Sequence, residues 1–169
     1  LPEYANSSDL TSELNYWLTP SRQQVVPLPV DNNAGKNTIA TAQTLSTTLS
    51  VELTQALLQE VPTIYRTQIN EILLTALGNV LIKFTGNTHQ LITLEGHGRE
   101  TIFEDVDLSR TVGWFTSIFP VLLNLGQKED LIEQLKAVKE QVRGIPQRGI
   151  GYGLLRYLNQ DEKISSQLE

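Results

Sequence analysis

The sequence of 169 residues contains no cysteine, no methionine and only two histidines. Without cysteine, disulfides, thiolate nucleophiles and cysteine-based zinc sites are all excluded. The two histidines, His89 and His97, stand apart and neither belongs to an HExxH pattern, so no metal site is predicted. The chain also begins at Leu1 rather than at a methionine, and from this we expect a segment of a longer protein.

Basic charge is scarce as well. Lysine and arginine number 13 against 19 aspartates and glutamates, which gives a formal charge of −6 and an isoelectric point near 5.0. Excess negative charge repels nucleic-acid phosphates and anionic lipid headgroups, so neither nucleic acid nor a membrane is a predicted partner. No apolar run reaches the length of a membrane span, and the N-terminus lacks the basic and apolar regions of a signal peptide. We therefore expect a single cytoplasmic domain.

Apolar periodicity predicts alternating helices and strands, and hence the α/β class with helices packed on a sheet. Helices are predicted at 7–18, 51–61, 65–86 and 128–146, and strands at 37–50, 89–98 and 116–125. Residues 19–37 are rich in proline and polar groups, which is typical of a connector. We expect the longest helix to pack against the core through an apolar stripe. The stripe consists of Ile69, Ile72, Leu73, Ala76, Leu77, Val80 and Leu81.

The stretch "LEGHGRETIF" concentrates the unusual chemistry of the chain at the end of a predicted strand. Glu95 is followed by His97 between two glycines and then by Arg99 and Glu100. A carboxylate at a strand end can act as a general base, with neighbouring basic groups setting its position. The same residues also fit an ordinary strand-end loop whose charges satisfy one another, and the local pattern leaves both interpretations open.

Two further stretches mix glycine, aromatic and hydroxyl side chains. Residues 107–123 include Trp114, Thr116 and Ser117, and they fit either a site wall or aromatic core packing. Residues 146–153, "PQRGIGYG", match neither GxGxxG after a strand nor GxxxxGK[ST], so nucleotide binding is not predicted there.

Together these stretches resemble the epimerization domain of nonribosomal peptide synthetases, a branch of the condensation-domain superfamily. The resemblance covers nearly the whole chain, and Glu71 occupies a position where that family usually has aspartate. It rests on four motifs in the same order: "NEILLTALG" (70–78), "EGHGRE" (95–100), "RTVGWFTSIFPVLL" (110–123) and "PQRGIGYG" (146–153).

The resemblance implies a lobe of the chloramphenicol-acetyltransferase-like fold, with a mixed β-sheet and helices packed on it in two layers. It implies that residues 1–169 form the C-terminal lobe, with the helix and linker between lobes inside residues 1–36. The implied reaction converts an L-aminoacyl or peptidyl thioester to the D form by removing and returning the α-proton. The substrate would hang from the phosphopantetheine of a peptidyl carrier protein, and the domain itself would need no metal or other cofactor.

Matching positions give Glu95 the acid/base role, and we expect its side chain to be partly buried. The resemblance implies that His97 and Arg99 orient the loop. It also implies that Trp114, Thr116, Ser117 and Tyr152 shape the substrate channel.

The sequence departs from the family in lacking the paired-histidine motif HHxxxDG. We therefore expect the N-terminal lobe to be absent and the isolated chain to be inactive. The expected partners are that lobe, the carrier protein and neighbouring synthetase domains. Two alternatives stay open: an amide-forming condensation lobe, and a non-catalytic lobe that only docks a carrier protein.

Overall fold

The computed structural model describes residues 1–126, 128 and 130–168, and consists of helices packed around one pair of strands. Short 3₁₀ turns occur at Pro20–Gln24, Ile39–Thr41 and Pro146–Gly149, and a π-helical turn occurs at Ala56–Glu60. The helices and strands are α1 (Pro2–Ala5), α2 (Ser8–Thr11), α3 (Leu14–Trp17), α4 (Val51–Gln55), α5 (Val61–Tyr65), α6 (Ile69–Thr85), β1 (His89–Gly96), β2 (Ser117–Asn124), α7 (Leu131–Arg143), α8 (Ile150–Leu158) and α9 (Glu162–Gln167).

The two strands are antiparallel, with Leu94 opposite Phe119 and Glu95 opposite Ile118. Side chains alternate between faces along a strand, and the buried row of β2 packs against α7 and α8. That row consists of Phe119, Val121 and Leu123, each at most 5% exposed. The strands predicted at 89–98 and 116–125 and the α/β class are confirmed, and within the described residues the sheet is this antiparallel pair rather than a larger mixed sheet.

The N-terminal segment packs into the core. The predicted helix at 7–18 is two short helices, α2 and α3, and the Ser7 hydroxyl caps α2 by accepting a hydrogen bond from the Leu10 N–H at 3.2 Å. Leu10 is fully buried and Trp17 is 3% exposed. They join Leu155 of α8 in the main hydrophobic cluster, so this segment stabilises the fold directly.

Helix α6 turns a different face to the core from the one predicted. Its buried residues are Glu71, Leu74, Thr75 and Gly78, whereas no residue of the predicted stripe is buried. The cause is packing against α7 and against Leu125, which follows β2 and lies so close to Gly78 that an added Cβ would be 2.6 Å from its Cδ1. The apolar stripe was the wrong face.

Two other predictions are wrong in the segment before α6. Residues 42–50 form no strand and are exposed; just before them, the Thr41 hydroxyl donates to the Thr38 carbonyl at 2.8 Å in a local turn. The helical stretch capped by Ser50 also does not stop at Pro62, because the π-helical turn at Ala56–Glu60 leads directly into α5, whose first turn contains Pro62. This helical stretch ends at Tyr65.

Candidate active site

Glu95 lies near the end of β1, on the face of the sheet opposite the buried row. Its side chain is exposed, so the expectation of partial burial is wrong for this chain. Glu95 is nevertheless one of the residues that line a groove of about 360 Å³ at the end of the strand pair. The start of α6, the end of α7 and the turn that follows α7 supply the other walls, which places a carboxylate at the mouth of a concave surface.

His97 and Glu100 form a fixed pair on one wall of this groove. The Nδ1 atom of His97 accepts a hydrogen bond from the Arg99 backbone N–H at 3.0 Å. Its Nε2 atom lies 3.2 Å from Oε1 of Glu100. Because Nδ1 accepts, the proton of the neutral ring lies on Nε2, the nitrogen nearer to Glu100.

The loop after β1 requires glycine at position 98. Gly98 has φ +64, and a Cβ placed there would overlap the Phe115 carbonyl oxygen and lie 2.6 Å from its carbonyl carbon. The main chain of Phe115 therefore packs directly on the Gly98 backbone. This contact joins the loop after β1 to the segment that leads into β2.

Arg99 stabilises that junction rather than the groove. Its guanidinium donates to the carbonyl of Leu108 at 2.7 Å and to that of Thr111 at 2.9 Å. It also stacks on the Phe115 ring, with its central carbon 4.2 Å from the ring centroid. These contacts tie residues 99–115 into one unit beside Glu95.

An ion pair on the groove wall, between a buried carboxylate and a half-exposed arginine, was not predicted from the sequence. The Glu71 side chain is 2% exposed, and its Oε1 atom accepts a hydrogen bond from Nε of Arg143 at 2.8 Å. This contact raises the pKa of the Arg143 guanidinium. The available signal was a carboxylate inside an apolar helix, but its partner lies 72 residues away, so no local pattern reveals the pair.

Arg148 completes the wall from an unusual backbone conformation. Gln147, Arg148 and Gly149 all have positive φ, at 42, 53 and 90 degrees. Such conformations cost non-glycine residues about 1–3 kcal/mol each and collect at functional sites. The turn brings Nε of Arg148 to 3.7 Å from Oε2 of Glu100, so Glu100 contacts a basic group on each side.

The other residues suggested by the motifs are spread over the molecule. Ser117 lies opposite Gly96 in the sheet, and Thr116, which is half-buried, precedes it. Trp114 is 90% exposed. Tyr152 donates its hydroxyl to the Leu168 carbonyl at 2.7 Å and packs on Trp17. The structure therefore brings Glu95 and His97 into one groove but leaves Tyr152 in a separate pocket.

Within residues 1–126, 128 and 130–168, no group of three or more histidines, aspartates or glutamates is arranged to hold a metal ion. Over the same residues, no helix has both the length and the apolar character needed to cross a bilayer.

Comparison with known proteins assigns the family. The model of the condensation domain matches residues 1–168. The chain belongs to the condensation domain family. A linear gramicidin synthase from Brevibacillus parabrevis is 52% identical over 168 residues, which is 98% of this chain and 2% of that protein. Bacitracin synthase 3 from Bacillus licheniformis is 46% identical over 165 residues, which is 98% of this chain and 3% of that protein. The chain thus spans only a few per cent of the length of these curated relatives.

Solved structures of the family share the fold. The epimerization domain from the third module of tyrocidine synthetase B is 38% identical, with a TM-score of 0.86 over 99% of this chain and 37% of that one. The first condensation domain of the calcium-dependent antibiotic synthetase is 14% identical, with a TM-score of 0.62 over 96% of this chain and 33% of that one. This condensation-family chain therefore has the fold of one lobe, and its resemblance to synthetase epimerization domains is confirmed.

Proposed function

We propose that this chain is the Glu95-bearing lobe of an epimerization site in a peptide synthetase. The observation that carries the proposal is Glu95 itself, an exposed carboxylate within EGHGRE at a position that lines a groove. The similarity to an epimerization domain at a TM-score of 0.86 supports the assignment.

The proposed chemistry is removal and return of one proton. The thioester carbonyl acidifies the α-C–H bond, Glu95 takes the proton, and the bonding electrons move into an enolate. Donors around the enolate oxygen would stabilise its charge. Return of a proton to the opposite face of the α-carbon inverts the centre and leaves the thioester intact.

A second acid/base group on the opposite face completes the reaction in this proposal. The exposure of Glu95 is consistent with a groove that a facing lobe would cover, and the HHxxxDG motif expected on that lobe would supply the second group. The isolated chain should therefore not epimerize.

The proposed partners follow from the same reaction. The substrate would be an aminoacyl or peptidyl thioester on the phosphopantetheine of a carrier protein, and this chain would need no cofactor of its own. Neighbouring synthetase domains are consistent with relatives of which the chain covers only a few per cent. We also retain the cytoplasmic location predicted from the sequence.

An amide-forming condensation lobe is the second candidate, and the match of the condensation family model over residues 1–168 favours it. Product analysis of the synthetase that carries this chain separates the two. The epimerization proposal predicts a thioester of unchanged mass with an inverted α-carbon. A peptide lengthened by one residue without inversion contradicts it.

A non-catalytic docking lobe is the third candidate, favoured by the net charge of −6, which suits a basic patch on a partner. Titration of the chain with a carrier protein tests it. Absence of binding removes this candidate, and α-proton exchange in the parent synthetase shows that docking is not the lobe's whole role.

A further inference from the structure

The pair of the buried Glu71 carboxylate and the half-exposed Arg143 has more hydrogen bonds than a simple surface ion pair. Nε of Arg143 donates to one carboxylate oxygen of Glu71 at 2.8 Å, and the Gln68 backbone N–H donates to the other at 2.8 Å. Arg143 also donates to the Arg66 carbonyl at 2.8 Å. One carboxylate therefore holds together the start of α6, the segment before it and the last residue of α7.

The pair stands at the base of the turn that builds the groove wall. Arg143 ends α7, and the chain runs from there into the left-handed turn at Gln147 and Arg148. Arg148 contacts Glu100, and Glu100 contacts His97. Ion pairs at both ends, with the main chain from Arg143 to Arg148 between them, thus connect Glu71 with the loop that follows Glu95.

The charged residues that line the groove come from α6, α7, β1 and the two connecting segments, while β2 contributes only Phe119. Glu71 lies on α6, Arg143 on α7 and Glu95 on β1; the loop after β1 adds His97 and Glu100, and the turn after α7 adds Arg148. Arg143 neutralises Glu71, and Glu100 is shared by two basic groups. Removing either member of the first pair would therefore leave one uncompensated charge on the wall of the groove that Glu95 also lines.

We propose that Glu71 and Arg143 are positioning residues for Glu95: their ion pair holds the Arg148 turn in place and keeps the groove wall electrically balanced. This inference rests on the proposed function, because it assigns the pair a role in proton removal. Neither residue needs to touch the substrate.

The test is the pH dependence of α-proton exchange in the synthetase that carries this chain. Glu71→Gln leaves the Arg143 cation uncompensated, which favours the Glu95 carboxylate and moves the acid limb of the profile to lower pH. Arg143→Gln leaves the Glu71 anion uncompensated and moves the limb to higher pH. Unit charges roughly 10 Å apart interact by about 0.3 pH unit in water and about 1.2 pH units at an effective dielectric constant of 20. We expect opposite shifts of about 0.3–1 pH unit.

The double variant Glu71→Gln with Arg143→Gln restores neutrality, so its acid limb should return close to that of the unmodified protein. Glu71→Asp keeps the charge and should keep the acid limb in place. Glu133→Gln is a matched control, because it breaks an exposed ion pair with Lys136 on the same helix, away from the groove.

Shifts of the same sign in the two single variants overturn the inference, as does an acid limb that stays in place while only thermal stability falls. Arg143→Gln leaves a buried carboxylate unpaired and so could prevent folding. Glu71→Gln and the double variant then still test the inference, since neither leaves a buried charge unpaired. Failure of the proposed function is recognised separately: Glu95→Gln would then leave exchange intact.

Discussion

Gly98→Ala should destabilise the chain much more than its backbone conformation alone requires. The left-handed conformation at φ +64 costs a non-glycine residue about 1–2 kcal/mol. The added Cβ would also overlap the Phe115 carbonyl, so the two main-chain segments must separate. Separation weakens the stacking of Arg99 on the Phe115 ring, worth about 0.5–1 kcal/mol. It also weakens two carbonyl hydrogen bonds made by Arg99, each worth about 1 kcal/mol or more.

These contributions sum to a loss of about 3–5 kcal/mol in the free energy of unfolding. Gly86→Ala is the matched control, because Gly86 has φ +71 but no atom lies within 4 Å of an added Cβ. The control should lose only about 1–2 kcal/mol. Urea denaturation followed by tryptophan fluorescence measures both losses. Equal losses in the two variants would refute the close approach of Phe115 to Gly98.

The remaining predictions concern the sheet edge, a buried carboxyl and an exposed indole. The side-chain amide of Gln141 makes two hydrogen bonds, at 2.7 and 2.8 Å, with the backbone of Asn124. Gln141→Ala removes both, so the free energy of unfolding should fall by about 1–3 kcal/mol. Fast hydrogen exchange of the Asn124 amide in the unmodified chain would contradict these hydrogen bonds. Burial raises the pKa of the Glu13 carboxyl, partly offset by a hydrogen bond from Trp17, so the folded state binds its proton more tightly than the unfolded state. The stabilisation that protonated Glu13 gives the fold is complete below the unfolded-state pKa near 4.5 and is lost as pH rises through the higher folded-state pKa. Glu13→Gln should remove this pH dependence from the free energy of unfolding, measured in urea across that pH range. An unchanged pH dependence would exclude Glu13 as its source. Trp114→Ser should change stability by less than about 0.5 kcal/mol because the side chain is 90% exposed, and a larger loss in thermal denaturation would mean that Trp114 packs on the fold.

The parts of the fold that could be predicted from the sequence are those determined by interactions between residues close together in the chain. Strand β2 and helix α7 have strong apolar periodicity, and the Ser50 hydroxyl caps α4 by accepting from the Leu53 N–H at 3.2 Å. The strand predicted at 37–50 is wrong because β-branched residues favour a strand only where a partner strand exists. The buried face of α6 is likewise decided by α7 and Leu125, which periodicity in one helix cannot reveal.

The candidate site divides in the same way. Glu95, His97 and Gly98 stand in one short motif, and the strand-end loop that they form was predictable from that motif. The Glu71–Arg143 pair joins helices far apart in sequence, so only the folded chain brings it to the groove. The exposure of Glu95 was not predictable either, because it depends on which other surfaces cover the end of β1.

The most direct test of the central claim is solvent-deuterium incorporation at the α-carbon of the thioester in the synthetase that carries this chain. Glu95→Gln should reduce the exchange rate by about 10²–10⁴-fold, as expected when a general base is removed. Because Glu95 is exposed, the same substitution should leave unfolding free energy within about 0.5 kcal/mol, and Glu133→Gln should leave exchange unchanged. Exchange in Glu95→Gln within a few-fold of the unmodified protein would contradict the assignment of Glu95 as the proton-transfer carboxylate.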